Sequence, residues 1–360
     1  MKKVIITAVV ILVVLICGIF YISNRQEKNE QWKVGVILNG TKDDQNWTQS
    51  HYEGLEETAK ELNLEMIYHE SVPETEECFK LMEEMVSSGC KIIICNSFNY
   101  GKYALEMAEK YPEISFFHAS GVEEAANLST YFGRMYQARY LTGIIAGLKT
   151  ETNSIGYVAA MPNSEVNRGI NAFTLGVKSV NPEATVYVSW TDSWNSGEKE
   201  TAAAKALIND KNADLITYHQ NQHYSAIAAD DAGVYSIGYN AAFEGLSEKY
   251  LTAAVWNWDS LYFQIIREFV QGQPNTVEHR WFDINSGAVE LSEMSPLITE
   301  EIKNVVEAEK IRLCTTEDVF SGVIYDNEGG LRCSEGETLS DGTLLTGMDW
   351  YVDGVEIYNG

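Results

Sequence analysis

The chain is poor in positive charge. It contains 26 lysine and arginine residues against 52 aspartate and glutamate residues, which gives a formal net charge of −26 at pH 7. Binding to nucleic acid or to an anionic membrane surface needs a basic face that releases counterions. The charge balance therefore argues against both partners, and we expect no nucleic-acid binding.

The sequence also lacks the common motifs of enzyme active sites. It contains no G-x-S-x-G, no H-E-x-x-H and no G-x-x-x-x-G-K-S/T, and no G-x-G-x-x-G follows the first predicted strand. The loop after that strand reads Asn39-Gly-Thr-Lys-Asp-Asp44 instead. These absences favour a protein that binds without chemistry, and no cofactor is indicated.

Cysteine and histidine give no sign of a metal site. The six cysteines form no C-x-x-C pair, so neither a zinc site nor a dithiol redox motif is indicated. Cys314 and Cys333 could pair outside the cell, and two unpaired thiols are equally compatible with the sequence. His219 and His223 follow a predicted strand and have no third ligand nearby in sequence, so we expect them in the core or in a cleft.

The N-terminus carries a long apolar run. Lys2 and Lys3 precede 19 apolar residues from Val4 to Ile22, after which the chain becomes polar. This length can span a bilayer, and the lysines should stay in the cytoplasm, which places the body of the protein outside the cell. Cys17-Gly18 is similar to a lipoprotein cleavage site, although Ile16 replaces the usual small residue. An uncleaved anchor, an atypical lipoprotein and ordinary cleavage remain as alternatives.

Length and periodicity predict two α/β lobes. A chain of 360 residues with 45% hydrophobic residues is long enough for two cores. From Lys33 onward apolar strands alternate with amphipathic helices, which is typical of a doubly wound parallel sheet, and the alternation restarts after Gly133. Residues 131–147 read as a turn into a helix between the lobes. Predicted strands cover 34–38, 65–69, 92–95, 115–118, 154–159, 185–190, 215–218 and 235–238; predicted helices cover 44–62, 74–88, 100–110, 134–148, 164–180, 197–209, 226–232 and 260–272.

One segment carries a family resemblance. Arg168-Gly-Ile-Asn-Ala-Phe-Thr-Leu-Gly-Val-Lys-Ser-Val-Asn-Pro182 is similar to the basic membrane protein (BMP) family, and the similarity extends from Lys33 to Val355. The resemblance implies a type I periplasmic-binding-protein fold, with two Rossmann-like lobes joined by a multi-strand hinge. It also implies a receptor for an ABC permease, with purine nucleosides or bases as ligands.

The domain boundaries follow from this expected topology. Residues 1–31 would form the membrane anchor or signal segment with a linker. The N-terminal lobe would comprise 32–132 plus 256–284, and the C-terminal lobe 133–255 plus 285–360. The chain would cross back to the first lobe at 252–257 and return near 282–286.

The candidate ligand residues are aromatic and amide side chains in the loops after the strands. In open α/β sheets ligands collect at the carboxyl ends of strands. Aromatic rings offer flat faces and amides offer both donors and acceptors, which suits a neutral planar ligand, although sugars also use such groups. The candidates are Asn39, Trp47, Asn96, Phe98, Met161, Trp194, Gln220, Asn240, Trp256 and Trp258.

The resemblance assigns roles to three of these residues. Trp47, in Asp44-Gln-Asn-Trp-Thr-Gln-Ser, stands where the family stacks an aromatic ring on the base; the alternative is a buried residue at a helix start. Asn240 replaces an aspartate that holds ribose in nucleoside-binding members, and Trp256 replaces a lysine found in some. Both departures weaken the case for ribose. The Val255-Trp-Asn-Trp258 version resembles the family branch associated with the free base, which favours adenine or a similar purine over the nucleoside. Asp43 and Asp44 read as helix caps, which disfavours a phosphate ligand.

Two other functions have to be weighed. The fold also serves ligand sensors, and an anchored BMP-like chain resembles a Med-like regulatory group. An enzyme acting on a nucleoside is a third hypothesis, which the lack of an evident nucleophile and base disfavours.

Overall fold

The computed structural model describes residues 31–272, 279–315 and 317–359. Its strands in chain order are β1 (Lys33–Ile37), β2 (Glu65–His69), β3 (Ile92–Cys95), β4 (Ser115–Ala119), β5 (Leu128–Gly133), β6 (Ser154–Ala159), β7 (Thr185–Trp190), β8 (Leu215–His219), β9 (Tyr235–Asn240), β10 (Tyr250–Trp256), β11 (His279–Phe282), β12 (Val289–Leu291), β13 (Ile324–Tyr325), β14 (Leu331–Cys333) and β15 (Val355–Ile357). Its helices are α1 (Trp47–Glu61), α2 (Glu76–Ser87), α3 (Gly101–Lys110), α4 (Met135–Lys149), α5 (Ser164–Val180), α6 (Gly197–Lys211), α7 (Tyr224–Ala232), α8 (Trp258–Val270), α9 (Glu300–Thr315) and α10 (Asp341–Thr346).

The strands form two large sheets. The first has the order β11-β5-β4-β3-β1-β2, and each neighbouring pair in it is parallel. The second has the order β12-β10-β9-β8-β6-β7-β15, in which only β12 runs antiparallel to its neighbour. Strands such as β3, with four buried residues in succession, show the apolar runs expected of parallel strands covered on both faces. The predicted α/β class with doubly wound parallel sheets is confirmed.

The chain passes between the sheets three times. It leaves β5 for α4 at Arg134, leaves β10 for α8 at Asn257, and leaves β11 for β12 through 283–288. The last two crossings fall at the end of 252–257 and at 282–286, where the sequence places them. This is the two-lobe, multi-strand-hinge topology of the type I fold, whereas the exact lobe boundaries stay a prediction.

Two local predictions were wrong. Residues 131–133 belong to β5 rather than to a turn. The prediction failed because Ser129, Thr130 and Gly133 interrupt the apolar residues of 128–133, so the segment shows neither a continuous apolar run nor a strict alternation. The first helix begins at Trp47 rather than at Asp44. Asp44 lies outside the helix, and its carboxylate accepts the backbone N–H groups of Thr48 at 3.0 Å and Gln49 at 2.9 Å. Asp44 thus satisfies two N–H groups of the first turn, as a helix cap does, although the N-cap position itself is Asn46 and the first turn contains no acidic residue.

Helices α4 and α5 cross at very close range. A Cβ atom on Gly143 would lie 2.0 Å from the carbonyl oxygen of Phe173, and one on Gly176 would lie 2.1 Å from that of Tyr140. Glycine at both positions lets the two helix backbones touch. This close contact determines how α4 and α5 pack on the second sheet beside the hinge.

Two questions raised by the sequence concern cysteines and the membrane. Cys314 and Cys333 are free, as are Cys78, Cys90 and Cys95. The apolar run at 4–22 and Cys17 lie outside the described residues. Within the described ranges, no helix combines the length and the apolar character needed to cross a bilayer.

Candidate functional site

Three tryptophans meet next to the second crossing. Trp47 begins α1, Trp256 ends β10 and Trp258 begins α8. The rings of Trp256 and Trp258 stack with centroids 4.7 Å apart and planes 20° apart. The Trp47 ring meets them edge-on, at 6.1 Å from Trp256 and 5.4 Å from Trp258. We call these three residues the tryptophan cluster.

A buried histidine extends the stack. The His51 ring lies 3.7 Å from the Trp258 ring at an angle of 24°, and its Nδ1 is 2.5 Å from the hydroxyl of Tyr262. That hydroxyl is in turn 2.8 Å from the hydroxyl of Tyr131. Burial lowers the pKa of His51 well below its usual value, so the ring is neutral and packs as an aromatic group. His51 is not among the residues predicted from the sequence, although its position four residues after Trp47 on one helix was an available signal.

Trp256 is also in contact with the hinge. The Phe132 ring lies 4.7 Å from it, and a Cβ atom on Gly133 would lie 2.6 Å from Trp256 and 2.7 Å from Val289. Gly133, Trp256 and Val289 each belong to a strand that borders a different crossing. The tryptophan cluster is therefore built on the hinge, and Gly133 provides the space for it.

Amides of the first lobe are tied to Trp47. The Trp47 indole Nε1 donates to the carbonyl oxygen of Asn96 at 3.1 Å. The side-chain Oδ1 of Asn96 accepts the backbone N–H of Asn39 at 3.0 Å, and Thr48 Oγ1 donates to Asn39 Oδ1 at 3.4 Å. The structure thus brings together Asn39, Trp47 and Asn96, which follow neighbouring strands.

Amides of the second lobe are tied to Trp256. The Trp256 Nε1 donates to Asn240 Oδ1 at 2.9 Å, and Asn240 Nδ2 is 3.5 Å from the carbonyl oxygen of Gln220. Gln220 Nε2 donates to Thr191 Oγ1 at 2.9 Å. Asn240 has a φ of 69°, a left-handed conformation that asparagine tolerates better than most residues. The backbone thus gives a local reason for asparagine at this position.

Three amide side chains around the tryptophan cluster keep a polar atom without a partner. Asn46 Oδ1, Asn96 Nδ2 and Gln220 Oε1 are buried and make no hydrogen bond. Each of the three residues is 0% exposed. A buried polar atom without a partner costs about 1–3 kcal/mol, so such atoms commonly mark positions where a ligand or water binds. Together they present two acceptors and one donor.

Asn46 also joins the two lobes. Its Nδ2 donates to the carbonyl oxygen of Asn221 at 2.5 Å, and His223 Nε2 is 3.1 Å from the carbonyl oxygen of Gln45. These contacts connect the start of α1 with the loop after β8. Asn46 is not among the residues predicted from the sequence, because its position next to Trp47 gives no separate sign of a contact across the lobes.

An open cleft of about 290 Å³ lies beside these residues. One wall is the polar face of α1, with Gln49 and Glu53, and the other contains Asn240 and Trp256. The volume is close to the lower end of the range of about 300–1,000 Å³ for small-molecule sites. The cleft thus has the size and the mixed lining of a site for one small polar molecule.

The remaining candidates lie apart from this network. Trp194 meets the His219 ring edge-on at 6.1 Å, next to Gln220. Phe98 is 56% exposed, and no described contact joins it or Met161 to the tryptophan cluster. Their predicted ligand contacts stay predictions.

His219 and His223 are both buried, as the sequence analysis expected. Burial lowers the pKa of His219 to about 4 and also lowers the pKa of His223. Among the described residues, no group of three or more histidine, cysteine, aspartate or glutamate side chains could hold a metal ion.

Glu200 gives the second lobe a pH-dependent stability. It is fully buried in the first turns of α6, and this burial raises its pKa from 4.5 to about 7. The folded protein therefore keeps a proton that the unfolded chain releases between pH 4.5 and 7. The contribution of Glu200 to stability is full below pH 4.5 and is lost as the pH rises to 7.

Glu200→Gln should remove this dependence. The variant imitates the protonated acid, so we expect stability close to that of the natural protein at pH 5 and about 2 kcal/mol higher at pH 8. Urea unfolding at both pH values measures the difference. Glu198→Gln, at an exposed position on the same helix, is the matched control and should show a far smaller change. Equal differences at the two pH values would refute the assignment.

The chain is similar to proteins of known family. Residues 31–317 match the family model Bmp, described as ABC transporter substrate-binding protein, PnrA-like. A purine-binding protein of Brucella abortus is 32% identical over 341 residues, which cover 94% of this chain and 96% of that protein. A protein of Haloferax volcanii named as an ABC transporter glucose-binding protein is 34% identical over 317 residues, which cover 87% of this chain and 77% of that protein.

Solved structures show the same fold. The crystal structure of a transcriptional activator of the comK gene from Bacillus halodurans superposes with a TM-score of 0.71 at 21% identity, covering 79% of this chain and 98% of that one. Solute-binding proteins of ABC transport systems also share the fold. The family match covers most of the chain and agrees with the two-lobe topology and with the resemblance seen in the sequence. The chain belongs to the Bmp family of PnrA-like ABC transporter substrate-binding proteins.

Proposed function

We propose that this substrate-binding protein takes up a purine base, adenine or a close analogue, or a purine nucleoside in the cleft between its lobes. The role in ABC transport is inferred from the family to which the chain belongs. The purine ligand is inferred in part from the Brucella abortus relative, which is named for purine binding. The protein would work outside the cell, held at the membrane by its N-terminal segment, and would deliver the ligand to an ABC permease.

The observation that carries the purine proposal is the set of unpaired amide atoms around the tryptophan cluster. Purine edges carry both donors and acceptors. Asn46 lines the cleft with an unused acceptor, and Asn96 and Gln220, in the buried network around the cluster, have one unused donor and one unused acceptor. Indole faces suit a flat heterocycle. The cleft wall has one exposed carboxylate, Glu53, so a neutral ligand fits better than an anionic one.

Binding would close the lobes. The contacts of Asn46 with Asn221 and of His223 with Gln45 join the two lobes and require them to approach each other. A ligand that contacts both lobes stabilises this closed arrangement relative to an open one. We propose that the protein binds its ligand without catalysing a reaction. Release of free base from adenosine by the purified protein would contradict this.

The alternative is a membrane-anchored, ligand-sensing regulator of the same fold. The Bacillus halodurans activator shows that this architecture also occurs in a protein of regulatory function. Purification with a permease and its ATPase from native membranes would favour import, and transport that continues normally after deletion of the gene would favour sensing.

A thermal-shift panel tests the ligand class. Adenine, guanine, hypoxanthine, adenosine, guanosine, glucose and ribose are each added to ligand-free protein. A ligand at a hundred times its dissociation constant adds about 2.7 kcal/mol of stability. We expect the purines to raise the unfolding temperature and the sugars to leave it unchanged. If glucose alone raised the unfolding temperature, the ligand would be a sugar rather than a purine.

A further inference from the structure

A second, small cavity lies beside the hinge, where Phe132 of β5 meets residues of α4, α5, β8 and β9. Its volume is about 10 Å³, and its polar lining consists of Tyr136, Arg139, Glu165, Arg168, His219 and Tyr239. The space is enough for one water-sized group. Residues of α4 and α5 line this cavity, and it shares no lining residue with the cleft of about 290 Å³.

Arg139 is a buried cation without a carboxylate partner. Its side chain is 0% exposed, and it donates to Thr217 Oγ1 at 3.1 Å and to the carbonyl oxygen of Tyr218. Its Nε has no hydrogen-bond partner. The guanidinium lies 4.2 Å from the Tyr239 ring, and no described carboxylate comes within 4 Å of it.

Arg168 is a second buried cation at the same cavity. It donates to the carbonyl oxygen of Leu344 at 2.5 Å and lies 5.0 Å from the Trp281 ring. It too has no carboxylate within 4 Å among the residues that the structure describes. Two guanidinium groups therefore face the cavity, whereas Glu165 is the one carboxylate in its lining.

His219 contributes unused hydrogen-bonding capacity. Neither of its ring nitrogens makes a hydrogen bond, and Glu165 Oε1 is 3.9 Å from Nε2. Burial, together with the charges of Arg139 and Arg168, keeps the ring neutral near pH 7 against the opposing effect of Glu165, so one nitrogen is an N–H donor. The hydroxyl of Tyr157 is also without a partner. A Cβ atom on Gly169 would lie 3.0 Å from His219 Nδ1 and 3.4 Å from that hydroxyl, so both atoms border one small space.

Buried charges in proteins are normally paired, and buried polar atoms without partners commonly indicate an ion or a water. Two guanidinium groups and one carboxylate leave an excess positive charge here, which favours an anion over a neutral water. We propose that this cavity binds one small monovalent anion the size of chloride, with Arg139 and His219 as its donors.

Thermal unfolding tests the site in solution. The intact protein is compared in sodium chloride and in sodium gluconate of equal ionic strength up to 200 mM, because gluconate is too large for the cavity. We expect chloride to raise the unfolding temperature by roughly 2–5 °C more than gluconate. His219→Phe should abolish the difference, and Arg267→Met, an exposed arginine, should retain it. Equal responses of the natural protein to both salts would overturn the proposal.

Crystals grown in bromide give a second readout that needs no variant. The anomalous difference map should show one peak between Arg139 Nε and His219. Density for a water without an anomalous peak would overturn the proposal. A bromide peak without a halide-specific shift in solution would mean an adventitious ion only, and would also overturn it.

Discussion

Trp47→Ala should weaken purine binding by roughly 100-fold, about 3 kcal/mol. The substitution removes the edge-on member of the tryptophan cluster and the indole N–H that holds Asn96 at 3.1 Å. A ligand would lose a stacking face, and the backbone carbonyl of Asn96 would lose the hydrogen bond that helps to hold this residue in place. Isothermal titration calorimetry with adenine measures the change.

Two control variants separate this loss from a general defect. Trp47→Phe keeps an aromatic face without the N–H and should lose less affinity than Trp47→Ala. Trp32 lies just before β1, at the opposite end of that strand from Trp47, and packs on Phe269. The Trp32→Ala variant should bind adenine with normal affinity. Unchanged affinity in Trp47→Ala would remove Trp47 from the site.

Gly143→Ala should lower the free energy of unfolding by roughly 3 kcal/mol or more. The added methyl group would lie 2.0 Å from the carbonyl oxygen of Phe173, so the α4–α5 crossing must open. Overlap with a backbone atom cannot be relieved by a side-chain rotation. Urea unfolding measures the loss.

The matched control is Gly342→Ala in α10. A Cβ atom there meets Ser340 Oγ at 3.8 Å, an ordinary contact, and alanine favours a helix over glycine. We expect Gly342→Ala to be neutral or slightly stabilising. Similar stability of the Gly143 variant and the natural protein would mean that the two helices are not held at this close approach.

The fold could be predicted because its signals are local. Runs such as Ile92–Cys95 and the amphipathic segments between them specify parallel strands and covering helices without knowledge of the tertiary structure. β5 was missed because Ser129, Thr130 and Gly133 interrupt its apolar residues, so it matches neither the continuous apolar run of β3 nor a strict alternation. Such a run has no periodicity to distinguish it, and its assignment depends on the neighbouring strands.

The candidate site was predictable only in part. Trp47, Asn96 and Asn240 could be selected because they follow strands, whose carboxyl ends face the cleft. The role of His51 depends on α8 lying against α1, and the link from Asn46 to Asn221 depends on the approach of the two lobes. Contacts between segments distant in sequence leave no periodic pattern.

The buried polar atoms without a hydrogen-bond partner could not be predicted from the sequence either. Whether Gln220 Oε1 or Arg139 Nε lacks a partner depends on side-chain positions within about 1 Å. The residue type shows whether a side chain can donate or accept a hydrogen bond. Only the packed structure shows which donors and acceptors have no partner.

Calorimetric titration of the ligand-free protein with adenine tests the central claim most directly. The account predicts saturable binding of one adenine per chain, weakened by about 100-fold in Trp47→Ala. Absence of binding to adenine, guanine, hypoxanthine and their nucleosides, from a protein that binds glucose under the same conditions, would contradict it.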